Sequence, residues 1–391
     1  MESLKYELEE ETRKGARIKV IGIGGGGSNA VGRMYEEGLD GVEFHVINTD
    51  AQALEASGVP NKLQIGAKVT NGLGAGSDPA IGRQAALEDT ERILAILEGA
   101  DLVFLTAGLG GGTGAGASPV VATLARELDA LTIAIVTKPF GFEGGKRMRQ
   151  AERSVSDLAA SVDILTTIPN DRLLAIAPKG TTMAQAFGMA DDILRQAVQG
   201  ISEIILKPGL VNLDFSDIKA AISGMGHALI GNAIAKGPNA AVEAARAAIN
   251  SPLLEDTKIK GARQVLMNIT GSPNIGLHEV NEACSIIREA ADSDDLQLNF
   301  GVTANDAMGD SVKVTVIATG FMTAADPAAK RHSAIEPKPV SEFFADRPSE
   351  PAVVLANAPE PFQEPTPVPA AAVFEEELDV PTYLRQGKLL N

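Results

Sequence analysis

The sequence predicts an α/β protein: a Rossmann-like parallel-sheet nucleotide-binding domain, a long central helix, a second α/β domain and a disordered C-terminal tail. Three observations carry this prediction. Short β-branched runs ("RIKVIGIG", "VEFHVINTD", "DLVFLTAG", "LTIAIVTKPF") alternate with helical stretches ("SNAVGRMYEEG", "PAIGRQAALEDTERILAILEG"), the order of a parallel sheet covered on both faces. Next, Met183, Phe187, Ala190, Leu194, Val198, Ile201 and Ile205 step by three or four, so one amphipathic helix runs to the breakers Pro208 and Gly209. Finally, "ARQVLMNITG", "LQLNFGVT" and "SVKVTVIATG" read as strands, with Val312, Val314 and Val316 alternating, beside the helical "DIKAAISGMGHALI" and "AAVEAARAAI".

The expected boundaries are an N-terminal arm at 1–15, the nucleotide domain at 16–182, the central helix at 183–208 and the second domain at 209–322. A Pro-, Ala- and Glu-rich stretch at 323–375 cannot bury enough apolar surface to order itself and reads as a linker. Residues 376–391 regain Leu, Val and Tyr, the pattern of a docking peptide on a tether.

Charge narrows the function classes. The 51 Asp and Glu against 34 Lys and Arg give a net charge of −17, which repels phosphate backbones and anionic lipid. Nucleic acid and direct membrane binding are therefore not expected. The single cysteine, Cys284, cannot form an internal disulfide and reads as a small apolar residue, which fits a reducing, cytoplasmic setting. The acidic N-terminus has no apolar stretch of the signal-peptide kind, and no apolar run is long enough to span a bilayer. His45, His227, His278 and His332 are scattered without metal-ligand spacing.

Two glycine loops point to phosphate. "GIGGGGSN" follows a strand and opens a helix, and Gly22, Gly24 and Gly27 satisfy the G-x-G-x-x-G spacing. Its bland reading is a tight strand–helix turn with no ligand. With Asp50 at the end of the next strand it also fits a nicotinamide-dependent oxidoreductase. The second loop, "GLGGGTGAG" at 108–116, is denser in glycine than a turn requires, and Thr113 can offer a hydroxyl to phosphate. A third polar turn, "GLGAGSDP", lies between them, and three strand-end loops converging on one sheet crest suit a triphosphate. No G-x-x-x-x-G-K-[ST] occurs, so this is no Walker-type loop. The stretch "GLVNLDFSD" concentrates Asn212, Asp214 and Asp217 about a hundred residues further on, where Asp214 or Ser216 could equally cap the helix that follows.

"GGGGSNAV", "NTDAQAL", "GLGAGSDP", "GGGTGAG", "VTKPFGFEG", "IPNDRLL" and "NLDFSD", in that order, resemble the FtsZ family of bacterial tubulin-like cell-division GTPases. The likeness runs from about Arg17 to Phe321, and the terminal "LDVPTYLR" resembles that family's C-terminal peptide. The resemblance implies GTP or GDP with Mg²⁺ as ligands, and nucleotide contacts by Gly25, Gly26, Gly27, Ser28, Asn29, Gly112, Thr113, Gly114, Glu143, Arg147 and Asp191. Asp191 would read guanine, because a carboxylate accepts from N1–H and the 2-amino group together. Asn212, Asp214 and Asp217 would serve the γ-phosphate of the next subunit in a head-to-tail filament at the division site. Pro381, Tyr383, Leu384 and Arg385, within 378–385, would dock membrane-anchoring and regulatory division proteins, so membrane contact is indirect.

Two residues depart from the family pattern. Ala115 stands where threonine is usual and removes a hydroxyl from the phosphate side; Ser28 reads as the N-cap of the first helix. The competing readings are a Rossmann-type NAD-dependent oxidoreductase, which leaves the second glycine loop and "NLDFSD" without roles, and a non-hydrolysing nucleotide-binding scaffold.

Overall fold

The computed structural model describes residues 15–207, 209–251, 259–293 and 295–321. All but Gly15 of the expected arm at 1–15, together with Pro208, the linker and the terminal peptide, lies outside the described residues.

The first part reads β1 (Ile18–Ile23), α1 (Gly24–Glu36), β2 (Val42–Asn48), α2 (Ala51–Ala56), β3 (Asn61–Gln64), α3 (Ala67–Thr70), α4 (Pro79–Glu88), α5 (Thr90–Leu97) and β4 (Leu102–Gly108). It continues with α6 (Thr113–Glu127), β5 (Leu131–Lys138), α7 (Gly145–Ala159), β6 (Ile164–Pro169) and α8 (Asn170–Ile176). Then come α9 (Met183–Leu206), α10 (Phe215–Ile222) and β7 (Gly226–His227). The second part is β8 (Leu229–Lys236), α11 (Ala240–Ile249), β9 (Gln264–Gly271), α12 (Leu277–Ala291), β10 (Gln297–Ala304) and β11 (Ser311–Thr319).

The first sheet is ordered β3-β2-β1-β4-β5-β6-β7 and is parallel throughout. Its central strands are buried end to end, as the unbroken apolar runs require. Strand order reverses between β1 and β4, the switch point where open α/β sheets hold ligands. The second sheet, β10-β9-β11-β8, is mixed: β9 and β10 are parallel, and β11 is antiparallel to β9 and β8.

Helix α9 joins the two sheets. Thr182 caps it in a capping box with Gln185. Leu194, Val198, Ile201 and Ile204 pack in one cluster with Val20, Phe104 and Ile133 of the first sheet and Leu266 and Ile317 of the second. Across the same junction Glu203 pairs with Lys313 of β11, the two side chains being 8% and 10% exposed. Burial alone would push Glu203 up, yet Lys313, with help from Lys207 and Gln199, holds it below the usual carboxylate range.

Several helical expectations are corrected. Met183 and Phe187 belong to the expected apolar stripe but are 56% and 39% exposed; the buried face at the start of α9 is carried by Ala186 and Ala190, and Phe187 faces an open cleft. The expected helix over "DIKAAISGMGHALI" stops at Ile222, where Gly224 and Gly226 turn left-handed at φ 68° and 72°; β7 and then β8 follow. "PAIGRQAALEDTERILAILEG" breaks into α4 and α5 at Asp89, whose carboxylate is drawn away to accept from the Gly66 N–H. Helix α1 starts at Gly24 with Ile23 as its N-cap, so Ser28 lies inside the helix, buried, and does not cap it.

The Glu203–Lys313 pair gives a stability prediction. Lys313→Met leaves the buried Glu203 with only Lys207 at 3.2 Å and the Gln199 amide at 3.0 Å, both on its other oxygen, and should destabilise the protein by about 1–3 kcal/mol. Adding Glu203→Leu should recover most of that loss. Denaturant titration of the three proteins checks this; a single variant as stable as the parent would contradict it.

Candidate functional site

The two loops that leave the switch point, after β1 and β4, meet beneath a cleft of about 290 Å³. Their contact is backbone on backbone. A Cβ added at Gly27 would sit 2.3 Å from the Thr106 carbonyl oxygen, so α1 can approach β4 only through glycine. Gly25 and Gly111 are different. Both line the cleft, neither has a positive φ, and a Cβ on either would meet nothing within 4 Å. The fold does not need glycine there, which leaves the close approach of a ligand as the reason for it.

Helices α1 and α6 begin at this cleft, and neither has a side-chain cap or an acidic residue in its first turn. Helices α2, α4, α9 and α10 have a Thr or Asp cap and α3, α5, α7, α8, α11 and α12 have none, so what sets α1 and α6 apart is that both start at glycine loops lining one cleft. Two uncapped N-termini present backbone N–H donors and positive dipole ends to one space, an arrangement suited to a polyanion such as a phosphate chain. The Thr113 hydroxyl shares a 2.7 Å hydrogen bond with Thr49; when Thr49 donates, the Thr113 proton is free for phosphate.

Other elements line the remaining wall. Glu143, on a 3-10 turn after β5, accepts from the Phe140 N–H and pairs with Arg147 of α7. Phe187, Ala190, Asp191 and Leu194 come from α9, and Asn170 from the start of α8. Phe187 packs edge-on against Phe140 with ring centroids 5.4 Å apart. Asp191 is nearly buried, 3.1 Å from Arg33 of α1. Burial raises its pKa to about 6 even though Arg33 pulls it down. A solvated helix carboxylate, the local alternative for Asp191, does not describe this environment.

Of the residues expected to contact nucleotide, Gly25, Gly26, Gly112, Thr113, Gly114, Glu143, Arg147 and Asp191 line this one cleft. Gly27 and Ser28 are buried and Asn29 is exposed; none of the three lines it. Asn212, Asp214 and Asp217 lie outside it. Asp214 caps α10, its carboxylate accepting from the Asp217 N–H at 2.8 Å. Asp50 caps α2 and does not line the cleft, so the acid that the oxidoreductase reading needs at the cleft is not there.

The "GLGAGSDP" turn follows α3 rather than a strand and buttresses the second loop from behind, where a Cβ on Gly112 would meet Ala75 and Asp78. Ala115 lines a neighbouring cleft beside α4 and α7, not this one.

Three polar residues escape sequence reasoning. The Asn170 side-chain oxygen is buried without a partner and lines the cleft; its signal is the "IPNDRLL" motif. Thr49 carries the same kind of signal in "NTDAQAL". Gln150 donates from its amide to the carbonyls of Ser77 at 2.9 Å and Gly111 at 3.0 Å, tying two loops to α7, and nothing local marks it.

Asp191 is held at a cost to stability. Its folded pKa is raised from 3.8 to about 6, so the penalty is absent below the unfolded value and fully present above the folded one. Asp191→Asn should therefore leave the nucleotide-free protein at least as stable at neutral pH, measured by thermal unfolding. A clear loss of stability would mean that pairing with Arg33 outweighs burial.

Two family models match the chain: the Tubulin/FtsZ family GTPase domain over residues 17–178, and the FtsZ family C-terminal domain over residues 226–322. Among solved structures the chain is similar to an FtsZ dimer from M. jannaschii, at 40% identity and TM-score 0.73, over 79% of this chain and 89% of that one. A second M. jannaschii FtsZ structure, of a point mutant, matches at 40% identity and TM-score 0.74, over 78% and 92%. GDP-bound CetZ1 from Haloferax volcanii shares the fold at 22% identity and TM-score 0.69, over 79% and 96%. With the uncapped glycine cleft at the switch point and relatives at this level of identity, the chain belongs to the tubulin/FtsZ family of GTPases.

Proposed function

We propose that the chain is a cell-division GTPase that polymerises head to tail and hydrolyses GTP in a site completed by the neighbouring subunit. One observation carries this reading: the cleft holds the glycine loops and uncapped helix starts, whereas Asn212, Asp214 and Asp217 lie outside it. A lone subunit then binds nucleotide but lacks the acids that position and polarise the attacking water.

Surface chemistry supports the same pairing. Phe142, Leu174 and Met183 are exposed on the elements that frame the cleft, and Leu73 is 85% exposed on the buttressing turn. Leu210, Val211 and Leu277 are exposed around an apolar groove of about 410 Å³ next to the acidic loop. Joining two different faces in this way extends without closing unless rotation brings the ends together. The M. jannaschii relative was solved as a dimer.

In this reading the phosphates lie against Gly25, Gly26 and the N–H groups of Gly112, Thr113 and Gly114, with Arg147 adding positive charge. Guanine lies between Phe187 and Asn170, reading Asp191 with its N1–H and 2-amino donors. Among the described residues no three His, Cys, Asp or Glu gather as a metal site. A Mg²⁺ ion fits this cleft through the nucleotide's own oxygens, where it would offset phosphate charge. The terminal peptide, outside the described residues, is proposed to tether filaments to membrane-anchoring division proteins at the division site. No described helix is long and apolar enough to cross a membrane.

GTP turnover per molecule, measured against protein concentration with Mg²⁺, should show a threshold. Asp214→Asn keeps an N-capping side chain but loses the charge, and should cut turnover about 100-fold with GTP affinity intact. Turnover independent of concentration would sink the shared-site reading.

Nucleotide affinity should also depend on acid. Protonated Asp191 cannot accept both guanine donors, so affinity should fall as pH drops through about 6. A fluorescent GTP analogue titrated at neutral and mildly acidic pH measures this, and a flat profile would remove Asp191 from base recognition.

A further inference from the structure

A second cleft, of about 390 Å³, lies between α4, α6 and α7. Arg83, Lys146, Arg149 and Arg153 line it, against a single carboxylate, Asp157. None of these four cations makes an ion pair among the described residues. Other described cations, such as Lys68, Arg126, Lys236 and Arg246, also lack an ion pair, but on a chain of net charge −17 it is the gathering of four around one concavity, against one carboxylate, that marks this cleft.

The spacing is regular. Lys146, Arg149 and Arg153 fall at i, i+3 and i+7 of α7, so they share one face at intervals of about 4.5–6 Å along the axis. Arg83 faces them from α4. Arginine offers paired donors in a plane that matches a carboxylate. The floor is formed by Ala115, Gly116 and Pro119 of α6; Gly116 has no Cβ, so the backbone of α4 at Pro79 and Arg83 packs directly on it and holds Arg83 at the rim.

We propose that this cleft is a docking site for an acidic peptide segment of a partner protein, whose carboxylates pair with Arg83, Lys146, Arg149 and Arg153. A short peptide suits it better than a long polyanion or a membrane. Beyond a Debye length of about 8 Å the overall negative charge of the chain is screened, so a local acidic segment meets the cations alone. A nucleic acid or anionic bilayer would also confront the surrounding carboxylates.

The site touches the nucleotide machinery without belonging to it. Gln150 lines the basic cleft and donates to the Gly111 carbonyl of the phosphate loop. Ala115 and Gly116 follow directly on Gly114, which lines the nucleotide cleft. An occupant therefore rests against the back of the loop that holds phosphate.

The test uses the full chain loaded with GDP and a fluorescein-labelled hexaglutamate peptide, read by fluorescence anisotropy at low salt. Binding should saturate, weaken with added salt, and fall about tenfold or more in R149E/R153E. Neither residue lines the nucleotide cleft, so GDP affinity of the variant should match the parent, which also shows that the variant is folded. Equal peptide binding by parent and variant would overturn the proposal, as would displacement of the peptide by excess GDP, which would place it in the nucleotide cleft. Retention on phosphatidylserine vesicles without hexaglutamate binding would overturn it in favour of lipid. None of these outcomes depends on whether filaments form, so failure here leaves the shared-site reading untouched.

Discussion

Everything at the nucleotide cleft depends on backbone meeting backbone at the switch point of the first sheet. Gly27 has no Cβ, so α1 can lie against the Thr106 carbonyl of β4. That approach brings the start of α1 beside the start of α6, with no side chain capping either. Two helix termini with free N–H groups are costly to leave unsatisfied and repel nothing but cations. The fold thus builds the floor of its anion site from main chain, and side chains such as Thr113 and Arg147 line it.

Helix α9 carries the consequence along the molecule. Asp191 lies in its first half, in the wall of the cleft, and Glu203 near its end, paired with Lys313 of the second sheet. The acidic loop begins shortly after its last turn. One element of 24 residues therefore sets the separation between the group proposed to read the base and the groups proposed to act on a neighbour's phosphate. The burial that raises Asp191 and the pairing that lowers Glu203 place two abnormal carboxylates on a helix whose other buried positions are mostly apolar.

The strands legible in sequence are the β-branched ones. Those beginning at Ile18, Val42, Leu102, Leu131, Gln264, Gln297 and Ser311 follow runs that few other structures favour. Strand β8, "LIGNAIAK", reads partly as helix because alanine and glycine blur the period of two, and the antiparallel ladder to β11 decides its conformation instead. The glycine loops are legible as a phosphate site because their composition is wasteful otherwise. Ser28 and Ala115 mislead because a motif gives spacing but not direction: one lies within α1, the other faces the basic cleft. Gln150 acts through contacts 39 or more residues away and leaves no local trace, whereas Asn170, with its unpaired buried atom, is marked only by the motif around it.

The central claim is that the acids of one subunit act on the nucleotide of another. The direct measurement is turnover in a mixture of two variants, Asp214→Asn, which keeps the nucleotide cleft, and Asp191→Ala, which keeps the acidic loop. Each alone should be nearly silent, and mixing should restore GTP hydrolysis, because the intact acidic loop of the Asp191→Ala variant then meets the GTP held by the Asp214→Asn variant. A mixture as silent as its components, although light scattering shows that the two co-assemble, would contradict the shared site.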